Sequence, residues 1–310
     1  LRGTTRGHFL KRSHFVQRIF SVVFMQHSAM ALGGLCLALI LCLALVACGA
    51  KPKYASLDQA VRAGDVADAE LLLKNGADPN TPDDEGMPPL HAAVLVGNAP
   101  MVEMLLRHKA SINQIETQKG LTPLHIAVTL GDRTVIQDLV KGGADLAARS
   151  RTGSTPLMSA VAGNRTTETQ LLLAAGASPV LADADGMTPL HVAASNGATT
   201  LTQLLLAAKA SVNAVTARGL TPLHLAAAEG KVDVIKMLIA AGAGVNAQSQ
   251  SGMTPLFAAV FSDQGQALEL LLAGGADPNR PNAEGKRPLE VAIDHGNGAL
   301  AEILRQHGAK

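Results

Sequence analysis

The 310-residue chain contains no tryptophan, one tyrosine (Tyr54) and only 2% aromatic residues in all. Large rings carry much of the buried area of an ordinary core, so their scarcity excludes a conventional globule of this length. The hydrophobic fraction of 47% is mainly leucine, alanine and valine, a mixture suited to small helices packed close together. Cysteine is confined to Cys36, Cys42 and Cys48. Beyond Cys48 the chain therefore has no disulfide, no thiol nucleophile and no cysteine ligand for zinc. Aspartate and glutamate are absent before residue 48, where five of the 26 basic residues lie (Arg2, Arg6, Lys11, Arg12 and Arg18). The remainder carries 21 basic against 25 acidic side chains, a balance of −4. A domain of that charge has no general attraction for phosphate backbones, which argues against nucleic acid as a partner.

Catalytic patterns are missing as well. There is no His-Glu-x-x-His, no Gly-x-Ser-x-Gly, no phosphate-cradling loop, and no Cys/His pair after Cys48. Asp83, Asp84 and Glu85 fall together in one loop, where a solvated turn is the expectation. The sequence predicts no enzyme, no cofactor and no metal.

What is present divides the chain into 1–47, a targeting segment; 48–53, a short tether; and 54–310, a repeat array. From Ala29 to Ala47 the chain is uncharged and almost wholly apolar for 19 residues, enough to span a bilayer as a helix. Basic residues lie upstream, as in a secretory signal, although a start at Met25 or Met30 would leave that region without Lys or Arg. The segment Leu45-Val46-Ala47-Cys48-Gly49 resembles a bacterial lipobox, in which cleavage precedes a cysteine whose thiol is then lipidated. That resemblance implies lipidation at Cys48 and a periplasm-facing place in the bacterial envelope, with Gly49 favouring the outer membrane over the inner. The alternatives are an uncleaved anchor, or an intracellular protein whose true start lies after Cys48.

Thr-Pro-Leu-His occurs at Thr122–His125, Thr188–His191 and Thr221–His224, with degraded copies beginning at Pro88, Thr155, Thr254 and Arg287. The prolines fall at 89, 123, 156, 189, 222, 255 and 288, every interval being 33 residues except the first, which is 34. Thr can cap a helix and Pro fits its first turn. Ala pairs such as Ala92-Ala93 and Ala226-Ala227 permit close approach, and Leu pairs such as Leu105-Leu106 sit at helical spacing. Glycines at 76, 143, 176, 242 and 275 end the second helix in a left-handed conformation. Lys109 and Lys209 hold that slot in two repeats. Asn164 and Asp263 replace the glycine of the turn between helices.

This pattern resembles the ankyrin repeat. The resemblance implies an all-α solenoid of about eight helix–turn–helix units with capping end repeats, monomeric as an array. It also implies that His91, His125, His191 and His224 are structural, hydrogen-bonding near the loops. Repeats stacked about 8–10 Å apart could not bring these imidazoles to zinc at about 2.0–2.1 Å. Ankyrin relatives bind protein partners with loop tips and the exposed side of the first helix. Carried over, that places binding residues at Met87, Leu121, Met187, Leu220 and Met253 before the prolines. Further candidates are Leu95, Val96, Leu130 and Phe261 at helix ends, and Arg149, Arg151 and Arg218 in mid-array loops. The reading is a protein-binding scaffold tethered to the envelope. The competing one is a structural spacer or assembly factor without a specific groove.

Overall fold

The computed structural model describes residues 51–310; Cys48 and the apolar segment before it lie outside the described residues. Sixteen helices follow in pairs: α1 (Leu57–Arg62) with α2 (Val66–Lys74), α3 (Pro89–Val96) with α4 (Ala99–Arg107), α5 (Pro123–Leu130) with α6 (Arg133–Lys141), and α7 (Pro156–Ala162) with α8 (Thr166–Ala174). The second half runs α9 (Pro189–Asn196), α10 (Thr199–Ala207), α11 (Pro222–Ala228), α12 (Val232–Ala240), α13 (Pro255–Phe261), α14 (Gly265–Ala273), α15 (Pro288–Asp294) and α16 (Gly298–Gln306). Odd-numbered helices pack on one another as an inner layer and even-numbered helices as an outer layer. The result is an all-α solenoid of eight repeats.

Local sequence sets each helix. Pro stands in the first turn of every inner helix from α3 to α15, where its missing N–H leaves no donor unpaired. The threonines before α7 and α13 accept the N3 amide. On the outer layer Asp65, Asn98, Asp132 and Asn297 cap α2, α4, α6 and α16 in the same way. Outer helices α8, α10, α12 and α14 have no side-chain cap. The core is built from the leucine after each proline, from Leu90 to Leu256, and from the inner alanines, such as Ala93, Ala127 and Ala194, which are sealed from solvent. Burying each such leucine contributes about 1.5–3 kcal/mol.

Among the described residues the non-glycine residues with positive φ are Lys109, Asn164, Lys209 and Asp263, all at repeat positions otherwise held by left-handed glycine. The N-terminal edge is closed by Asp68, whose carboxylate accepts the amides of Lys53 at 2.7 Å and Tyr54 at 3.0 Å. The C-terminal edge is polar, with Lys286 bridging Asp294 at 2.8 Å.

Repeats are joined by side chains of one bonding the backbone of the next, at two recurring positions. His91, His125, His191 and His224 reach the carbonyl that precedes the next repeat's Thr. Asn80, Asn113, Asn213, Asn246 and Asn279 accept an amide after the next outer helix, at 2.6–2.8 Å. Repeats four and five have neither link, because Met158 stands at the histidine position and Val180 at the asparagine position. Their outer helices also carry the buried, unpartnered hydroxyls of Thr169 and Thr202, each costing about 1–3 kcal/mol. Among the described residues, hydrogen bonds across this boundary are confined to the tip loops, from Ala184 N–H to the Thr152 carbonyl and from Arg149 to the Ala182 carbonyl.

Two outcomes follow for stability. Urea unfolding is expected in two steps, with repeats 1–4 and 5–8 separating at this boundary. Met158→His combined with Val180→Asn should add about 2 kcal/mol at roughly one per restored bond and merge the steps. A single transition in the parent protein, seen by both circular dichroism and hydrogen exchange, would refute the weak boundary. Lys109→Gly and Lys209→Gly should each stabilise by about 1 kcal/mol by relieving left-handed strain, measurable as a raised urea midpoint.

Candidate protein-binding surface

The tip loops precede the inner helices and are held by a side chain six residues before each repeat proline, or seven before Pro123. Asp83 and Asp183 accept two amides of their own loop, as do Thr216 and Asn282; Ser150 and Ser249 accept one. Asp83 is thus not a solvated turn residue as expected. Its side chain is 7% exposed and is also paired with Arg62. Burial alone would raise its pKa, but the Met87 and Glu85 amides and Arg62 outweigh it and hold the carboxyl below its ordinary range.

The one 34-residue interval places its additional residue in the third tip, Glu116–Leu121. There the anchor is a glutamate, one methylene longer, whose carboxylate accepts the amides of Gln118, Lys119 and Leu121 at 2.6, 2.7 and 2.9 Å. Successive tips are joined by backbone bonds of 2.8–3.0 Å, from Arg151 to Lys119, Ala184 to Thr152, Ala217 to Asp185, Gln250 to Arg218 and Ala283 to Ser251. Tips two and three lack that bond, and the Thr117 hydroxyl donates to the Glu85 carbonyl instead.

A glycine three residues before every proline makes this approach feasible. A Cβ on Gly186 would lie 2.7 Å from the Ala217 nitrogen, and φ there is +78°. The row from Gly86 to Gly285 went unnoticed in sequence, although its constant offset from the prolines was the signal.

The histidines are buried beneath these tips. In His125, His191 and His224 the ring Nε2–H donates to the next repeat's carbonyl at 2.9–3.0 Å, and Nδ1 accepts the Thr amide and hydroxyl. That arrangement requires the neutral ring. His91 follows Pro88, which has neither group, and its Nδ1 has no partner. Desolvation lowers the pKa of all four, and the bond to the backbone carbonyl offsets it only in part.

The concave side divides the expected binding row in two. Met87, Leu121 and Met253 are half-buried against the core, and Met187 and Leu220 are also partly covered. Leu95, Val96 and Leu130 are exposed at 47%, 51% and 45%, side by side at the ends of α3 and α5. Repeats four to six then offer Ala162, Ser195 and Ala228, so the apolar row is interrupted before Phe261, whose ring lies 5.5 Å from that of His295. Ile115 and Val215, both more than half exposed on the tips, escaped notice because no helical or strand period marks them.

The family model for ankyrin repeats, in three copies, matches residues 57–150, 131–216, 157–249, 193–282 and 223–310. The chain is an ankyrin-repeat protein. A comparison with curated proteins finds no match. Ankyrin repeats mediate protein–protein interaction, and proteins built from them are typically non-enzymatic scaffolds.

Within the ankyrin array two of the three sequence-chosen arginines are engaged as staples. Arg149 donates to the carbonyls of Gly153 and Ala182, and Arg151 to that of Thr117. Gln248 and Gln250 make the same bonds three repeats later, so neither staple needs the charge. The guanidinium of Arg218 is bonded to none of the described residues.

The histidines impose a pH dependence whose sign is fixed. Unfolded imidazoles protonate near 6.5, whereas these four resist it, so below that pH the unfolded chain binds more protons and stability falls with acid. Urea midpoints should be level from pH 8 to 7. Below 6.5 they should drop, by up to about 1.4 kcal/mol per pH unit for each histidine. A profile that stays level to pH 5 would show that the rings accept protons in the folded array.

Proposed function

We propose that this protein is a binding scaffold tethered to the bacterial envelope, holding one protein partner against the concave face and tip loops of its ankyrin array. The observation that carries the reading is the exposed apolar group Leu95, Val96 and Leu130, set on inner helices packed between their neighbours. An apolar cluster bounded by polar loops is what a protein interface requires. Shape and chemistry of the surface, not the fold, select the partner.

The tether rests on sequence. Cys48 follows an apolar run with small residues before it, and Gly49 to Lys53 are the only residues between it and Tyr54. Five residues reach at most roughly 18 Å, so a lipid on Cys48 keeps the array at the membrane surface. Gly49 favours the outer membrane. The spacer reading draws on the half-buried Met87, Leu121 and Met253, and it differs in requiring no saturable partner.

The test is made in a Gram-negative host with the full chain. Intact mass is expected to begin at Cys48 plus lipid, and the protein should enter the detergent phase. Cys48→Ala should abolish both. A photoreactive residue at Leu95 should give one discrete protein adduct, lost with Leu130→Asp. An uncleaved mass would remove the lipid tether, and absence of an adduct would favour the spacer.

A further inference from the structure

Beside the additional residue of the third tip the surface is hollowed. Between tips three and four a depression of about 390 Å³ opens, its lining including Gln118, Lys119, Arg151, Ser154 and Ser159. Ser159 lies on inner helix α7, so the depression sits where tips meet the inner layer. No carboxylate lines it. Glu116, the nearest acid in sequence, is 5% exposed and turned into its own loop by three amides. The Lys119 ammonium has no ion-pair partner among the described residues.

The charge of the array is zoned around this point. Residues 54–100 carry two basic and eight acidic side chains, residues 101–165 eight basic and five acidic, and residues 166–310 nine basic and twelve acidic. The depression therefore lies in the one basic zone of an otherwise acidic array. The apolar group Leu95, Val96 and Leu130 belongs to the preceding repeats of the same inner layer.

We propose that this depression receives a carboxylate-bearing segment of the partner protein. A Glu or Asp side chain lies between Lys119 and Arg151, with the serine hydroxyls of Ser154 and Ser159 as further donors, and an adjoining apolar residue rests on Leu130. The proposal deepens the scaffold reading and rests on it. Charge complementarity chooses this occupant: two cations without a facing acid attract an acidic segment and repel a basic one. The acidic second tip, where Asp84 and Glu85 are exposed, repels the same segment and so sets its direction along the groove.

The internal repeats supply the variant for the test. Gln250 occupies the position of Arg151 and makes the same bond to the preceding tip, so Arg151→Gln keeps the staple and removes the charge. Lys119→Ser removes the other, copying the serine that the seventh repeat carries at this position, Ser251. A random peptide phage library is panned on the full protein, on Lys119→Ser/Arg151→Gln and on Leu130→Asp.

Selected peptides are expected to be rich in Glu and Asp next to an apolar residue. Their affinity by fluorescence anisotropy should fall roughly tenfold or more on the double substitution and fall with added salt. Acidic peptides that bind the double variant equally well would overturn the site. Peptides without acidic bias that are lost on Leu130→Asp would overturn it too, while leaving the scaffold reading in place. No enrichment on the parent protein would overturn both. A phosphoserine peptide binding more tightly than its glutamate counterpart would replace carboxylate by phosphate and so overturn the assignment as stated.

Discussion

Two short helices cannot satisfy themselves: a pair of six to nine residues each leaves an apolar face bare and several loop carbonyls without donors. In this chain the neighbour completes both. Each leucine after a proline from Leu90 to Leu256 is buried where inner helices stack on their neighbours, and each histidine and asparagine staple ends on the next repeat's backbone. Stability is therefore approximately a sum over boundaries between repeats, and a boundary that loses its staples affects the whole array. The bare edges at the two ends are handled differently, by Asp68 holding the incoming backbone and by a charged final repeat.

Much of this is legible in the amino-acid sequence. The proline spacing marks the repeats because helix starts are written in local chemistry, Thr as cap and Pro in the first turn. The left-handed conformations of Lys109, Lys209, Asn164 and Asp263 were legible for the same reason, since each replaces a glycine at a known phase. The place of the additional residue was not. An interval of 34 residues states a length, and only the hydrogen bonds of Glu116 show that the tip absorbs it. The staple role of Arg149 and Arg151 was not legible either, because their carbonyl partners Ala182 and Thr117 come from adjacent repeats 33 and 34 residues away. Whether the methionines stand free or fold back against the loops was open in sequence, because it depends on how far each tip folds over the inner layer.

The surface follows from the same economy of small residues. With almost no aromatic rings, the concave side offers aliphatic ends, hydroxyls and a few cations, so recognition here depends on shape and charge and little on ring anchors. Where regularity breaks, at the third tip, the break also opens a basic recess. The irregular repeat is thus the one that distinguishes this array from a uniform stack of its own consensus.

The histidine and asparagine staples and those of Arg149 and Arg151 link residues 29 to 34 apart, which is about one repeat. A chain with contacts of that reach never waits for its far end. Each unit can dock as soon as it emerges from a ribosome or a pore, and entropy is lost one small loop at a time. Assembly then proceeds like a zipper with a missing tooth after the fourth repeat: the first half can close before the second exists, and the second must nucleate anew.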